Sequence, residues 1–273
     1  MAKPADVQID KKVVKEMLEA GCHYGHKVSK WNPKMHRFLY AKHEGVHVFD
    51  LTQAYQRLVV AMDFLKNAVM EGKSVLLVST KLQATRLLTE AAEKTGCSYV
   101  TRKWIPGLLT NFDTVKIRIR YFKELKEQQG NGEWESKYTK KERLQLAREL
   151  TKLQAAFGGV EYMNSLPDVV VVLDVVRDKL ALKEAQRLHI QTVGICDSNA
   201  DPDLVNFPIP GNDDAVRSIS FFTDYIVNAI NEGKKLSTGV GAKKVAQPVE
   251  SVSETPATEA PAAVAPAPEA AAA

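Results

Sequence analysis

At 273 residues with 45% hydrophobic content, the chain can hold one large domain or two modest ones around a real core. Three cysteines, Cys22, Cys97 and Cys196, are far apart and odd in number, which excludes a disulfide scaffold and points to a reducing compartment. The formal net charge of +4 is unevenly spread: Ala246 to Ala273 holds four Glu and no Lys or Arg, leaving +8 on the rest. No signal peptide, Arg/Ser-rich leader or long apolar span is visible, so the chain reads as a soluble intracellular protein.

In chain order, Val13 to Ala20 predicts a short helix ended by Gly21. The following stretch, GCHYGHKVSKWNPKMHRFLY, is polar, aromatic and basic, and too irregular for either period. Phe38–Tyr40 and Val46–Phe49 predict short strands around a turn at Glu44-Gly45. Apolar positions 51, 54, 55, 58, 62, 65 and 69 predict a helix over 51–69, closed by Gly72. A buried strand over 75–78, a helix over 82–94 ended by Gly96 and a strand over 98–100 come next. Beyond residue 164 the alternation resumes with a central parallel strand at DVVVVL, 168–173. A helix over 180–188, a strand over 192–196 and a short strand over 206–209 follow. Asn212 is a suitable N-cap for a helix over 215–230 ended by Gly233, with Asp213 and Asp214 in its first turn. Past Lys235 the composition turns to Ala, Pro, Glu, Ser and Thr, which predicts a disordered tail.

The stretch between residues 102 and 126 departs from this pattern. Phe112, Val115, Ile119, Phe122 and Leu125 recur at spacings of three or four on one helix face, while Lys116, Arg118, Arg120 and Lys123 fall largely off it. Seven Lys/Arg stand there against Asp113 and Glu124, a net of +5. After Gly130-Asn131-Gly132 a second stripe runs through Leu144, Ala147, Leu150, Leu153 and Phe157. The two stripes predict an antiparallel helical hairpin inserted in an α/β body. The expected divisions are 1–107 with 165–235 for the body, 108–164 for the hairpin and 236–273 for the tail.

Catalytic patterns fare poorly. The loop after Val78 reads Ser79-Thr80-Lys81-Leu82-Gln83 without glycine, where a phosphate loop needs close backbone approach. Gly72-Lys73-Ser74 precedes a strand instead of opening a helix, so it is a turn. His23 and His26, or Asp197, Asp201 and Asp203, have no established metal spacing; the aspartates suit Asx-turns beside Pro202. No acid/base pair or triad emerges, so no catalytic residue, metal or cofactor is assigned. A nucleotide- or metal-dependent enzyme on the same fold stays as the reserve reading.

Nucleic-acid binding fits better. Lys27, Lys30, Lys34 and Arg37 interleave with Trp31, Asn32 and His36, and Lys11 to Lys42 carries eight basic residues against two Glu. Long cations contact phosphates and planar groups stack on unpaired bases. Arg102, Lys103 and Trp104 repeat the combination at the root of the hairpin. At least one of Trp31 and Trp104 is expected in the core beneath these loops.

GCHYGHKVSKWNPKM closely resembles the signature of the second small-subunit ribosomal protein, bacterial "S two". KWIPGLLTNFDT, LPDVVVVLDV, DSNADPD and IPGNDDAVRSI resemble further motifs of that family, collinearly from about Lys11 to Glu232. The resemblance implies a flavodoxin-like α/β domain with an inserted coiled-coil hairpin, at the head–body junction of the small subunit. It implies partners: small-subunit ribosomal RNA and neighbouring ribosomal proteins, including the large RNA-binding protein "S one", with no membrane and no small-molecule substrate. The signature loop then covers Gly21, His23, Gly25, His26, Trp31, Asn32, Pro33, Lys34 and Met35. The hairpin root covers Arg102, Lys103, Trp104, Gly107, Leu109, Thr110, Asn111 and Phe112, and Pro210 to Asp214 takes a structural role. RNA-binding candidates are therefore Lys27, Lys30, Trp31, Asn32, Lys34, Arg37, Arg102, Lys103, Asn111, Lys116, Arg118, Arg120 and Lys123. Departures are Cys22 for an aliphatic residue, Ile105-Pro106-Gly107 for Leu-Gly-Gly, and Val175 for proline. The helical arm resembles bacterial or organellar members more than archaeal and eukaryotic ones, and the absence of a transit-type leader favours bacterial.

Overall fold

A computed structural model describes residues 9–244. Helix α1 (Lys11–Glu19) leads into strand β1 (Tyr24–Lys27), two 3-10 turns (Val28–Lys30 and Pro33–Phe38), β2 (Leu39–His43) and β3 (Val46–Phe49). Then come α2 (Leu51–Met70), β4 (Val75–Val78), α3 (Leu82–Thr95) and β5 (Ser98–Val100). Three helices follow: α4 (Phe112–Gly130), α5 (Glu133–Lys137) and α6 (Lys140–Phe157). The chain closes with β6 (Val169–Val172), α7 (Lys179–Arg187), β7 (Gln191–Cys196), β8 (Phe207–Pro210) and α8 (Val216–Lys244).

The five later strands form a parallel sheet in the order β5-β4-β6-β7-β8, the flavodoxin-like arrangement. The pleat sorts its residues between two cores. Val75, Leu77, Val169, Val171, Val193 and Ile195 face one layer, with α2, α3 and α8. Leu76, Val78, Val170, Val172 and Cys196 face the other. A four-valine strand buried on both sides is what this demands at β6.

The second layer is unusual in composition. Helix α7 covers part of it with Ala181, Leu182 and Ala185. The rest is covered by Met35 and Phe38 of the second 3-10 turn, by Trp104, and by Phe112, Val115, Ile119 and Phe122 of α4. The segment joining β5 to β6 thus serves as a crossover whose root packs on the sheet. The predicted α4 stripe is buried throughout. The second stripe is buried less: Phe157 is enclosed, Leu150 and Leu153 are half-buried, and Leu144 is 54% exposed. Helices α4 and α6 pack together, but the α6 stripe is enclosed mainly toward the root. A third helix, α5, fills the bend with Trp134 buried, where the sequence predicted only a glycine turn.

Two further predictions need correcting. The irregular stretch after Gly21 contains β1, which pairs antiparallel with β3; with β2 on its other side this makes a separate three-stranded sheet. Gly233 does not end the last helix, which runs on to Lys244. A Cβ at Gly233 would come 2.6 Å from the Lys66 carbonyl oxygen and 2.8 Å from Val69 Cβ. Its glycine permits close approach of α8 to α2, which outweighs the usual helix penalty. The expected tail from 236 is therefore helical as far as 244, and 245–273 lies outside the described residues.

Candidate nucleic-acid interface

In a flavodoxin-like sheet the ligand crevice lies beyond the carboxyl ends of the strands, where the order reverses between β4 and β6. Here that edge is stitched shut by the protein's own side chains. The Asp178 carboxylate accepts from Thr80 N–H (3.0 Å) and Thr80 Oγ1 (2.8 Å), and Arg177 Nε donates to the same hydroxyl. Lys81 is buried with its ammonium 2.7 Å from Asp213, 2.5 Å from Asp214 and 3.6 Å from Asp174. His26 reaches in from β1: Nδ1 lies 3.0 Å from Asp197 and Nε2 3.4 Å from Asp214. Its backbone N–H donates to Ser198 Oγ at 2.8 Å.

This cluster explains itself electrostatically. Removing carboxylates from water is costly unless a cation and hydrogen bonds compensate. The hydrogen bond to Asp197 outweighs burial and raises the His26 imidazole to about 9, so it is charged at neutral pH. Burial pushes the Asp213 carboxyl up to about 7 despite Lys81. His26, Asp213 and Asp214 offer ligand atoms within 4.8 Å of one another, a spacing that could hold a metal. The Lys81 ammonium already supplies positive charge between the two aspartates. The predicted cap is not formed: α8 begins at Val216 with no acidic residue in its first turn, and Asn212 instead folds the turn ahead of it, its Oδ1 accepting from the N–H groups of Asp214 (2.8 Å) and Ala215 (3.1 Å).

The basic loop is partly committed in the same way. Lys34 bonds both Asp201 and Asp203 at 2.9–3.0 Å, and Arg37 lies 3.4 Å from Asp203 while crossing the Phe38 ring. The aspartates come from the short β7–β8 link, and Asp201 makes the expected Asx-turn by accepting from Asp203 N–H. Asn32 caps its 3-10 turn by accepting from Lys34 N–H, and its own N–H donates to the Ser198 carbonyl at 2.7 Å. Trp31 is half-buried between the rings of His47 and His36. Lys27 and Lys30 are exposed.

Trp104 is the core tryptophan. Its Nε1 donates to buried Glu184 of α7, which also accepts from the N–H groups of Gly107 (2.9 Å), Leu109 (3.1 Å) and Thr110 (3.2 Å) and from the Thr110 hydroxyl. Burial alone would raise the Glu184 carboxyl; five donors reverse that and hold it below the usual range. One carboxylate thereby fixes the turn from which the arm departs. Sequence reasoning missed it, because a Glu within an amphipathic helix pattern carries no sign that its face is buried.

The arm cations differ from those of the loop. Arg102 and Lys103 are exposed at its root, and Asn111 is spent at the α4 N-terminus, accepting from the Thr114 hydroxyl. Lys116, Arg118 and Arg120 are exposed and make no ion pair with the described residues. At 100° per residue, Lys116, Arg120 and Lys123 form one stripe beside the buried face. Arg118 falls on the opposite flank. Lys123 is half-buried, its ammonium 5.7 Å from the Tyr162 ring.

The sequence model of the family described as Ribosomal protein S2 matches residues 17–233. The chain is 42% identical over 250 residues to "Small ribosomal subunit protein uS2" of Coprothermobacter proteolyticus, covering 89% of this chain and 93% of that one. It is 44% identical over 224 residues to the protein of that name from Dictyoglomus thermophilum (82% and 91% covered). For that of Campylobacter lari the figure is 42% over 236 residues (86% and 90%).

Proposed function

The chain belongs to the ribosomal protein S2 family, and from that premise we propose how, as a structural component of the small subunit of the cytoplasmic ribosome, it holds ribosomal RNA. It is a structural protein and not an enzyme, as its relatives are. Residues 108–164 act as the gripping arm, and 1–107 with 165–235 as the body that carries it. The α4 stripe of Lys116, Arg120 and Lys123, with Arg118, Arg102 and Lys103, neutralises phosphates of folded small-subunit RNA near the head–body junction. Lys27 and Lys30 add a second contact from the loop. Lys34, Arg37, Trp31, Asn32 and Asn111 shape these surfaces and contact RNA at their edges. The body offers neighbouring proteins, "S one" among them, a rigid docking platform.

One observation carries this reading. Lys116, Arg118 and Arg120 of the arm lie in solvent without a carboxylate partner among the described residues, whereas cations at the strand ends are neutralised internally. An unpaired exposed stripe gains free energy by releasing the counterions of an RNA backbone; a paired one must first break its own bonds. The crevice that would serve an enzyme of this fold is filled by Lys81, Asp178 and Asp213.

The test is sedimentation of reconstituted small subunits in rising salt, comparing the wild-type chain with K116E/R120E. The expected result is co-sedimentation of the wild type, lost at high salt, and loss of the variant at lower salt. Equal retention of both would sink the arm's role. Measuring "S one" on subunits lacking this chain separately tests the platform role; undiminished "S one" would refute it.

A further inference from the structure

The turn that brings the arm back to the sheet carries an aromatic residue with no packing role. Tyr162 is 79% exposed, yet the residues around it are firmly held. Val160 and Met163 are buried on either side of it, and Met163 N–H donates to the Val160 carbonyl. Glu161, itself buried, accepts from Lys126 at 2.8 and 3.0 Å. A side chain at Gly159 would collide with the Tyr99 carbonyl oxygen, so the turn lies directly on strand β5. An exposed tyrosine on a well-anchored turn loses little entropy on binding.

Its neighbours give the ligand's chemistry. The Lys123 ammonium, 5.7 Å from the ring centroid, is within cation–π range. Lys123 is also the last member of the stripe begun by Lys116 and Arg120, which spans about 10 Å along α4. A strand of phosphates following that stripe ends beside the Tyr162 ring. Cations tracking a backbone next to a planar, pre-positioned aromatic surface are the arrangement that takes unpaired bases.

We propose that Tyr162 is a stacking platform for one unpaired nucleobase of ribosomal RNA whose phosphates lie along Lys116, Arg120 and Lys123. The inference rests on the arm reading above and adds a base contact to it. Stacking is sequence-tolerant, so the ring selects single-stranded geometry and not a particular base.

The experiment compares full-length wild type, Y162F and Y162A for binding to small-subunit RNA across a salt series, with chemical probing of unpaired nucleotides. Y162A is expected to lose roughly tenfold in affinity with an unchanged salt slope, and to expose one nucleotide that wild type and Y162F protect. K116E/R120E must flatten the salt slope in the same assay. If it does and Y162A matches the wild type in affinity and protection, the platform is refuted while the arm reading stands. If K116E/R120E has no effect either, the arm reading itself falls. Loss of a neighbouring protein from Y162A subunits with nucleotide protection unchanged would also overturn the proposal, by identifying a protein as the occupant.

Discussion

The strand-end cluster and the helical arm are both rich in charge, yet they use it in opposite ways. At the strand ends, Lys81, His26, Lys34 and Arg37 each meet carboxylates of this same chain. On the arm, Lys116, Arg118 and Arg120 meet none among the described residues. The difference teaches that a count of basic residues measures two quantities at once. A cation surrounded by its own acids stabilises the fold; a cation left in solvent remains available to a polyanion.

The sharpest way to break that contrast is Lys81→Met. It removes the buried ammonium that meets both Asp213 and Asp174, and should destabilise the body by about 3–5 kcal/mol. Urea unfolding measures it, and an unchanged midpoint would show that the edge is not held by internal neutralisation. Next comes Glu184→Gln, which keeps the shape but weakens a carboxylate with five donors. A loss of about 2–3 kcal/mol is expected, with the arm root loosened in hydrogen exchange at Gly107, Leu109 and Thr110. Because the Glu184 carboxyl is held below its usual value of 4.5, its contribution is full above that pH and is lost as pH falls through the depressed folded value. Stability curves of wild type and Glu184→Gln should therefore converge in acid.

On the arm the same logic predicts silence in stability and a strong effect on binding. K116E/R120E should leave the unfolding midpoint within about 0.5 kcal/mol while lowering the salt slope of RNA binding by about two. A large stability loss would mean that the stripe is structural after all. His26 supplies a pH test of smaller size. Its imidazole is raised to about 9, so its stabilising effect is complete below the unfolded value of 6.5 and is lost as pH rises through 9. His26→Gln should remove that alkaline decline, and an NMR titration of His26 near 6.5 would contradict it. The smallest effect belongs to Lys34→Ala. Its exposed ammonium is shared between Asp201 and Asp203, so the RNA salt slope should shift less than for either arm cation alone.

The chain's own letters determined most of the element order. The unbroken valines of β6, the α2 pattern and the buried face of α4 follow from residue type and spacing, because pleat and helix period are local properties. The Asn212 turn is local too, but its letters read as the cap of a helix that begins only at Val216. The family motifs were also there to be read.

What the sequence left open depended on partners distant along the chain. Gly233 reads as a stop until α2 is seen against it, and Glu184 reads as surface until the turn at 107–110 closes over it. Lys34 and Lys116 are alike as letters; the β7–β8 link, more than 160 residues beyond Lys34, decides which of them is paired. Local geometry is encoded in neighbouring residues. Desolvation and charge pairing depend on which surfaces meet, and only the tertiary structure decides that.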